Sequence, residues 1–222
     1  MNYNIDEIKL YMENFGVNDD GFFTADDVDW FICEISKYAP SFDWNFGATK
    51  LVIEPKDRDY VIKIPFNGEW VSGECRHFYN ADSEFGDNYC EDEITKYAEA
   101  VDAGFAEMFL PIECVMEIDG IPIYVQQKAE MLDCDGDMEQ KEYSSKASRD
   151  KIVEKYNEGK RYLNRLPLSW VASCLDVLGS MERVEEFMKF LDEFNISYDL
   201  HCANVGYCNH KAVIIDYGGY GE

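Results

Sequence analysis

The stretch "KLVIEPKDRDYVIKIPF", residues 50–66, decides the fold. It contains two runs rich in β-branched side chains, residues 50–55 and 59–66, separated by the polar residues 56–58. Two such runs joined by a short polar turn predict an antiparallel β-hairpin. The second run carries a lysine, Lys63, among apolar neighbours. By itself this residue would be interpreted as an exposed lysine on a strand.

The segment before the hairpin, residues 1–38, has helical periodicity. Its first part places apolar side chains at helical spacing, and Thr24 is a predicted N-cap for a second helix. We therefore expect a helical hairpin. The apolar positions that carry this prediction are Ile5, Ile8, Tyr11, Phe15, Val28, Phe31, Ile32 and Ile35.

The segments after residue 66 alternate between helical and strand patterns. They comprise a polar stretch (67–89), a helix (90–105), a hairpin turning at Asp119-Gly120 (112–128), a charged and partly helical stretch (133–165), two helices (166–180 and 181–194) and a short β pair. Helices, an antiparallel sheet interrupted by one helix, and further helices predict an α+β fold.

The net charge of −25 is the strongest outlier in the composition. Such a charge repels nucleic acid phosphates and membrane surfaces, so we expect neither direct nucleic acid binding nor a membrane partner. It indicates either an acidic soluble surface or a mimic of nucleic acid that binds a basic protein partner. The N-terminus lacks the basic start and apolar block of a secretory signal, and we expect a cytoplasmic protein.

Two metal sites are alternatives on the sequence alone. The eight irregularly spaced cysteines favour reduced thiols, although Cys202 and Cys208 lie near His201 and His210 and leave zinc open. "NDDGFFTADD", residues 18–27, resembles a calcium loop. Its first ligand position would be Gly16, which has no side-chain oxygen, and a capped helix start is favoured. The second acidic stretch, 133–144, fits a calcium loop less well.

Three features with chemical potential follow one another along the chain. Lys63 lies in the hairpin, and Glu93 or Glu91 on the next helix could pair with it. Because two residues differ by about 200° around a helix, only one of these acids can point inward. Near the C-terminus, Asp199 and Asn204 are followed by a strand and Asp216. For that pair, a capped β-turn is the simplest alternative.

In this order and spacing, the motifs resemble the protein-kinase-like superfamily, including its aminoglycoside and choline phosphotransferase branch. The similarity covers roughly residues 40–220. It rests on "NFGATKLVIEPKDRDYVIKI" (45–64) as the end of a glycine-rich loop and the lysine strand, with "VIKI" (61–64), "IYVQQKAEM" (123–131) as the last sheet strand and hinge, "DLHCAN" (199–204) as the catalytic loop, and "DYG" (216–218) as the metal motif.

The resemblance implies a bilobal protein-kinase-like fold with an antiparallel N-lobe sheet and a truncated helical C-lobe. It predicts a helical hairpin at 1–38, an N-lobe at 39–126 and a minimal C-lobe at 127–222, with 133–165 as a charged insertion. The sequence ends four residues after Gly218. The activation segment and the helical substrate platform of an ordinary kinase are therefore expected to be missing.

The resemblance also implies ATP and Mg²⁺ as cofactors and assigns a role to each matching residue. Lys63 would bind the phosphates, held by Glu93. Asp199 would be the base for a hydroxyl acceptor, either a small molecule or a protein. Asn204 and Asp216 would bind Mg²⁺. Cofactor binding would further involve Gly47 in the loop, the backbone of Gln127, Lys128 and Ala129 at adenine, and Gln126 behind the pocket.

Two departures from the family pattern, the segments expected to be missing after Gly218 and a reduced glycine-rich loop, leave two functional hypotheses open. Only Gly47 remains of the three loop glycines, and the first two positions fall at Phe42 and Trp44. A bulky loop cannot bring its backbone amides close to phosphates. The first hypothesis is an ATP- and Mg²⁺-dependent phosphotransferase. The second is a catalytically inactive kinase-like binding protein, or an acidic inhibitor that mimics nucleic acid.

Overall fold

A computed structural model shows an α+β fold with an antiparallel sheet, and its described part contains six α-helices. The structure describes residues 3–13, 15, 22–37, 41–47, 49–72, 75–79, 88–132, 142–160, 162–163 and 165–218. The chain divides into two compact units, one formed by 1–94 and 111–128 and the other by 95–110 and 129–222. Within the described ranges, no helix is long and apolar enough to cross a membrane.

The predicted hairpin is the centre of the first unit. Strands β3 (Lys50–Pro55) and β4 (Tyr60–Ser72) pair antiparallel, with Val52 opposite Lys63. β2 (Phe42–Phe46) pairs with β3, β7 (Ile121–Gln127) pairs with β4, and β6 (Ile112–Ile118) pairs with β7. The resulting order, β2-β3-β4-β7-β6, places Lys63 in the central strand.

The sheet extends further than the sequence pattern indicated. The stretch 67–89 was predicted only as polar, but β4 continues to Ser72 and pairs with β5 (Cys75–Phe78). β5 in turn pairs with β1 (Phe22–Phe23). The sequence pattern did not indicate these strands. β1 and β5 are short, and neither they nor the end of β4 contain a long apolar run, so backbone hydrogen bonds are the evidence for them.

Both N-terminal helices form, and their apolar faces belong to the core of the first unit. Helix α1 (Ile5–Met12) is capped by Asn4, and helix α2 (Ala25–Ile35) by Thr24 in a reciprocal capping box with Asp27, which confirms the predicted cap. The buried residues of this core include Ile8, Tyr11, Phe15, Val28, Phe31, Ile35, Phe42, Leu51, Ile53, Ile62, Ile64 and Val125. Ile5 is exposed despite its helical spacing. The calcium-loop alternative at 18–27 lies partly outside the described residues.

The predicted central helix and second hairpin also form. Helix α3 (Tyr89–Asp102) precedes β6, and the turn between β6 and β7 lies at Asp119-Gly120. Both turn residues have positive φ, 52° and 80°. A two-residue hairpin with two positive φ angles favours the Asp-Gly pair found here. The connection therefore follows directly from sequence.

The second unit is built mainly from helices. Helices α4 (Lys146–Asn157), α5 (Leu168–Leu178) and α6 (Met181–Glu193) accompany a small sheet of β8 (Glu130–Met131), β9 (Val205–Cys208) and β10 (Lys211–Ile214) in the order β8-β9-β10. Its core includes Phe105, Phe109, Trp170, Val171, Cys174, Phe187, Leu191, Val205, Ile214 and Tyr217. Residues 133–141 of the predicted charged insertion lie outside the described residues.

Candidate functional site

Lys63 is buried in the central strand of the first unit and forms an ion pair with Glu93 of α3. Its Nζ donates to Glu93 Oε2 at 2.9 Å and to Oε1 at 3.3 Å. The exposed fractions are 4% for Lys63 and 0% for Glu93. Glu91, the alternative acid, is exposed and accepts a hydrogen bond from the Tyr124 hydroxyl at 3.3 Å. The structure therefore pairs Lys63 with Glu93 and not with Glu91.

A second lysine shares the same carboxylate. Lys50, 1% exposed, donates from Nζ to Glu93 Oε1. Sequence reasoning missed this residue. Val52 lies opposite Lys63, so Lys50 is the diagonal neighbour of Lys63 on the same face of the sheet. Lys50 lies two residues before Val52 and therefore on the same face of strand β3. This spacing could have indicated the contact with Glu93 only if the pairing register of β3 and β4 had been known.

The segment predicted as a glycine-rich loop is mostly strand. Phe42 and Trp44, at the positions of the first two glycines, lie within β2 opposite Pro55 and Ile53. At Gly47, the backbone N–H donates to the Lys50 carbonyl oxygen at 2.8 Å, which closes the turn between β2 and β3. That amide is therefore engaged within the turn. A Cβ at Gly47 would meet no atom nearer than 3.6 Å, so packing does not require glycine here.

The residues predicted at the hinge differ in whether their backbone groups form hydrogen bonds within the protein. Gln126 is buried in β7, and Gln127 lies opposite Tyr60 in the sheet. The Lys128 backbone N–H donates to the Asp59 carbonyl oxygen at 2.8 Å, so this amide is engaged in the protein. Three residues were predicted to contact adenine. Gln127 belongs to strand β7 and Lys128 donates its N–H to Asp59, whereas Ala129 follows both.

In the second unit, Asn204 connects the other predicted residues. Its Nδ2 donates to the Asp199 carbonyl oxygen at 2.7 Å and to Asp199 Oδ2 at 3.2 Å. Its own backbone oxygen accepts from the N–H groups of Ile215 and Asp216 at 2.9 and 3.3 Å. The structure thus brings Asp199, Asn204 and Asp216 together in one hydrogen-bonded network.

Asp199 is more open than the groups around Glu93. Its side chain is 33% exposed, and His201 Nε2 lies 3.9 Å from Asp199 Oδ1. His201 Nδ1 accepts the Ala203 backbone N–H at 3.2 Å, so the histidine also caps its own turn. A carboxylate that is oriented by an amide and is partly exposed to solvent can accept a proton from an incoming hydroxyl.

The two residues predicted to bind magnesium, Asn204 and Asp216, both carry side-chain oxygen atoms. Asp216 has a carboxylate, and because Asn204 Nδ2 donates hydrogen bonds to Asp199, the acceptor atom of the Asn204 amide is Oδ1. Oxygen donors of this kind are what Mg²⁺ prefers. His210 is one of the residues of the zinc alternative, and its ring stacks on the ring of Tyr143, with 4.5 Å between the ring centroids. Among the described residues, no three His, Cys, Asp or Glu side chains group as a metal site.

The segment after Asp216 is anchored by two side-chain bonds. The Tyr217 hydroxyl donates to the Leu110 carbonyl oxygen at 2.7 Å, and the Tyr217 ring packs edge-on against Phe109 at 5.0 Å. Lys96 Nζ donates to the Gly218 carbonyl oxygen. These bonds fix the position of the two residues that follow Asp216, a predicted metal ligand.

Each unit therefore contains one ordered set of predicted residues, Lys63 with Glu93 in the first and Asp199 with Asn204 and Asp216 in the second. Compared with known families and curated proteins, the sequence matches no family model and no curated protein.

Proposed function

We propose that this protein is a kinase-like phosphotransferase with a bilobal fold, which transfers the terminal phosphoryl group of ATP to a hydroxyl acceptor. The observation that carries the proposal is the Lys63–Glu93 ion pair, 2.9 Å between Nζ and Oε2. The kinase-like motif order expects a strand lysine paired with a helix glutamate, and these two residues lie 30 positions apart in the sequence. The Asp199–Asn204–Asp216 network is the second part of the same pattern.

Lys63 supplies the positive charge that phosphate oxygens require. Phosphoryl transfer depends mainly on positioning and on neutralising charge, with little covalent participation by protein side chains. Glu93 fixes the Lys63 ammonium from both carboxylate oxygens, so the cation is oriented before the nucleotide binds. A preorganised cation of this kind loses little free energy in reorganisation when phosphate arrives.

Asp199 is the proposed base. Asn204 Nδ2 fixes both the backbone and one carboxylate oxygen of Asp199, and the side chain remains one-third exposed. The acceptor hydroxyl would donate its hydrogen bond to the Asp199 carboxylate and transfer its proton there as the oxygen attacks the terminal phosphorus of ATP, whose bond to the bridging oxygen breaks and releases ADP. When bound through Asn204 and Asp216, Mg²⁺ would neutralise charge on the phosphate oxygens.

A thermal-shift titration tests nucleotide binding directly. Because a ligand that binds only the native state raises the melting temperature, we expect ATP to stabilise the protein more with Mg²⁺ than without it. Lys63→Met is expected to remove most of this stabilisation, while Asp216→Asn is expected to remove its dependence on Mg²⁺. Absence of any ATP effect on the unaltered protein would overturn the proposal.

Catalysis requires a separate measurement with terminally labelled ATP, Mg²⁺ and panels of hydroxyl-bearing small molecules and proteins. We expect transfer by the unaltered protein and a loss of at least about 100-fold in Asp199→Asn, the lower range of a general base contribution. Equal transfer by both proteins would contradict the assigned base.

The net charge of −25 favours a second candidate function, an inactive kinase-like protein that binds a basic partner. An acidic surface attracts nucleic-acid-binding proteins, and this attraction weakens as salt screens it. Capture of one nucleic-acid-binding protein by the Asp216→Asn variant, released by moderate salt, together with no phosphoryl transfer, would favour this candidate over the enzyme.

A further inference from the structure

The segment Asp216–Gly218 is held by groups for which the proposed chemistry has no direct use. Tyr217 is 1% exposed, and its hydroxyl donates to Leu110, which precedes it by 107 positions. The Lys96 ammonium donates to the carbonyl of Gly218 from helix α3. Two long-range bonds therefore act on the two residues that follow Asp216.

Backbone bonds hold Asp216 and the two residues that precede it. The N–H groups of Ile215 and Asp216 donate to the Asn204 carbonyl oxygen, and the Leu110 N–H donates to the Ile214 carbonyl oxygen at 3.0 Å. Leu110 is thus bonded on both sides of Asp216, through its N–H to Ile214 and through its carbonyl oxygen to Tyr217. Asp216 lies between these anchors, so its position depends on all of them.

We propose that the Tyr217 hydroxyl and the Lys96 ammonium are positioning groups that hold the Asp216 carboxylate in the geometry that binds magnesium. The inference rests on the proposed function. A phenylalanine in place of Tyr217 would keep the aromatic ring but would lack the hydroxyl. In this chain the hydroxyl adds a directional bond to the backbone, and a metal ligand gains from such outer support.

Tyr217→Phe isolates the hydroxyl because it keeps the ring against Phe109. The chain offers a matched control, since the Tyr156 hydroxyl also donates to a backbone carbonyl, that of Tyr162, at 2.7 Å. Tyr156→Phe therefore removes the same type of bond in the same unit. Lys96→Met tests the second anchor independently of Tyr217.

The experiment measures hydrogen exchange of backbone amides without nucleotide or metal. In Tyr217→Phe and in Lys96→Met, we expect the amides of Ile215 and Asp216 to exchange about three- to tenfold faster, the factor that one net hydrogen bond contributes. In Tyr156→Phe these two amides should keep the rate of the unaltered protein. Unchanged rates in both test variants, or equal acceleration in the control, would overturn the inference.

The second measurement is the Mg²⁺ concentration that gives half of the ATP-dependent stabilisation. We expect this concentration to rise at least about threefold in Tyr217→Phe, with the change in melting temperature at saturating Mg²⁺ preserved. An unchanged Mg²⁺ requirement beside faster exchange would overturn the link to the metal. If the unaltered protein shows no response to Mg²⁺ and ATP, the proposed function fails, while the exchange rates still decide whether the anchors hold the segment.

Discussion

The two sets of candidate residues differ in how much water reaches them. Around Glu93, one carboxylate and the ammonium groups of Lys50 and Lys63 are all at least 95% buried. Around Asn204, the Asp199 carboxylate is one-third exposed, and several of the bonds run to backbone atoms. The first set is a buried ionic cluster, and the second is a turn fixed by hydrogen bonds that an amide and backbone N–H groups donate.

This difference determines what each set contributes to stability. Removing one member of a buried ionic cluster leaves a charge in a medium of low polarity, which is costly. Removing a hydrogen bond near solvent allows water to replace it, and the cost is smaller. We therefore expect substitutions in the first set to affect folding strongly, and substitutions in the second set to affect ligand binding more than folding.

Glu93→Gln should have the largest effect on stability. It removes the carboxylate charge that both lysines contact, and breaking a buried pair costs about 3–5 kcal/mol in the free energy of unfolding. Urea denaturation measures this loss. Glu91→Gln, on the same helix but exposed, is the control and should cost less than about 1 kcal/mol. Equal losses in the two variants would show that the burial contrast is wrong.

Lys50→Met should cost less, about 1.5–3 kcal/mol, because Glu93 keeps its bonds to Lys63 while losing one charged hydrogen bond. Lys56→Met is a matched control, because Lys56 pairs with Asp43 at 2.9 Å and both side chains are largely exposed. That pair should contribute less than about 1 kcal/mol. If urea denaturation gives the same midpoint for both variants, Lys50 has no special role in the cluster.

Asn204→Ala should lower stability by about 1–1.5 kcal/mol, the value for one net hydrogen bond, because water can replace the second bond, to the partly exposed Asp199 carboxylate. Its effect on ligand binding should be larger, since the variant loses a proposed Mg²⁺ ligand and the group that fixes Asp199. We expect ATP to stabilise this variant equally with and without Mg²⁺. Asn157→Ala at the exposed end of α4 is the control, and thermal denaturation with each ligand is the measurement.

Much of the fold was predictable because local patterns determine it. Alternating and β-branched runs defined the hairpin at 50–66, Asp119-Gly120 defined the second turn, and Thr24 defined a helix start. These signals act over a few residues. The continuation of β4 to Ser72 was not predictable, because its polar sequence pairs through backbone atoms with strands that are themselves short.

The residues of the candidate site could be predicted where they belong to the ordered motifs. They could not be predicted where two residues far apart in the sequence form a contact that belongs to no motif. Helical rotation predicted that only one of Glu91 and Glu93 could point inward without deciding which, and the structure places Glu93 against Lys63. Lys50 lies 43 positions before its partner, and Tyr217 lies 107 positions after Leu110. Nothing in either local sequence indicates such contacts, because they arise from sheet register and from packing in the second unit.

The smallest predicted effect concerns pH and compares an acidic anchor in each unit. In the second unit, Asp176 of α5 accepts hydrogen bonds from the Ser145 backbone N–H and hydroxyl and from the Ser148 hydroxyl, which fixes the start of α4. Burial acts to raise the pKa of Asp176, but the bonds from Ser148 and Ser145 outweigh it and lower the pKa. In the first unit, bonds from Arg58 lower the pKa of Glu7 despite burial.

Both carboxylates have a lower pKa in the folded protein than in the unfolded chain, where the pKa is about 4. The ionised carboxylate therefore stabilises the fold at pH values above the unfolded pKa. This contribution is lost as the pH falls through the folded-state pKa. Asp176→Asn and Glu7→Gln should each lower the free energy of unfolding by less than about 1 kcal/mol at pH 7, because both carboxylates remain partly solvated. Urea denaturation from pH 7 to pH 3 should show each variant approaching the unaltered protein only below pH 4. A difference that stays constant over this range would show that the lost contribution is packing and not charge.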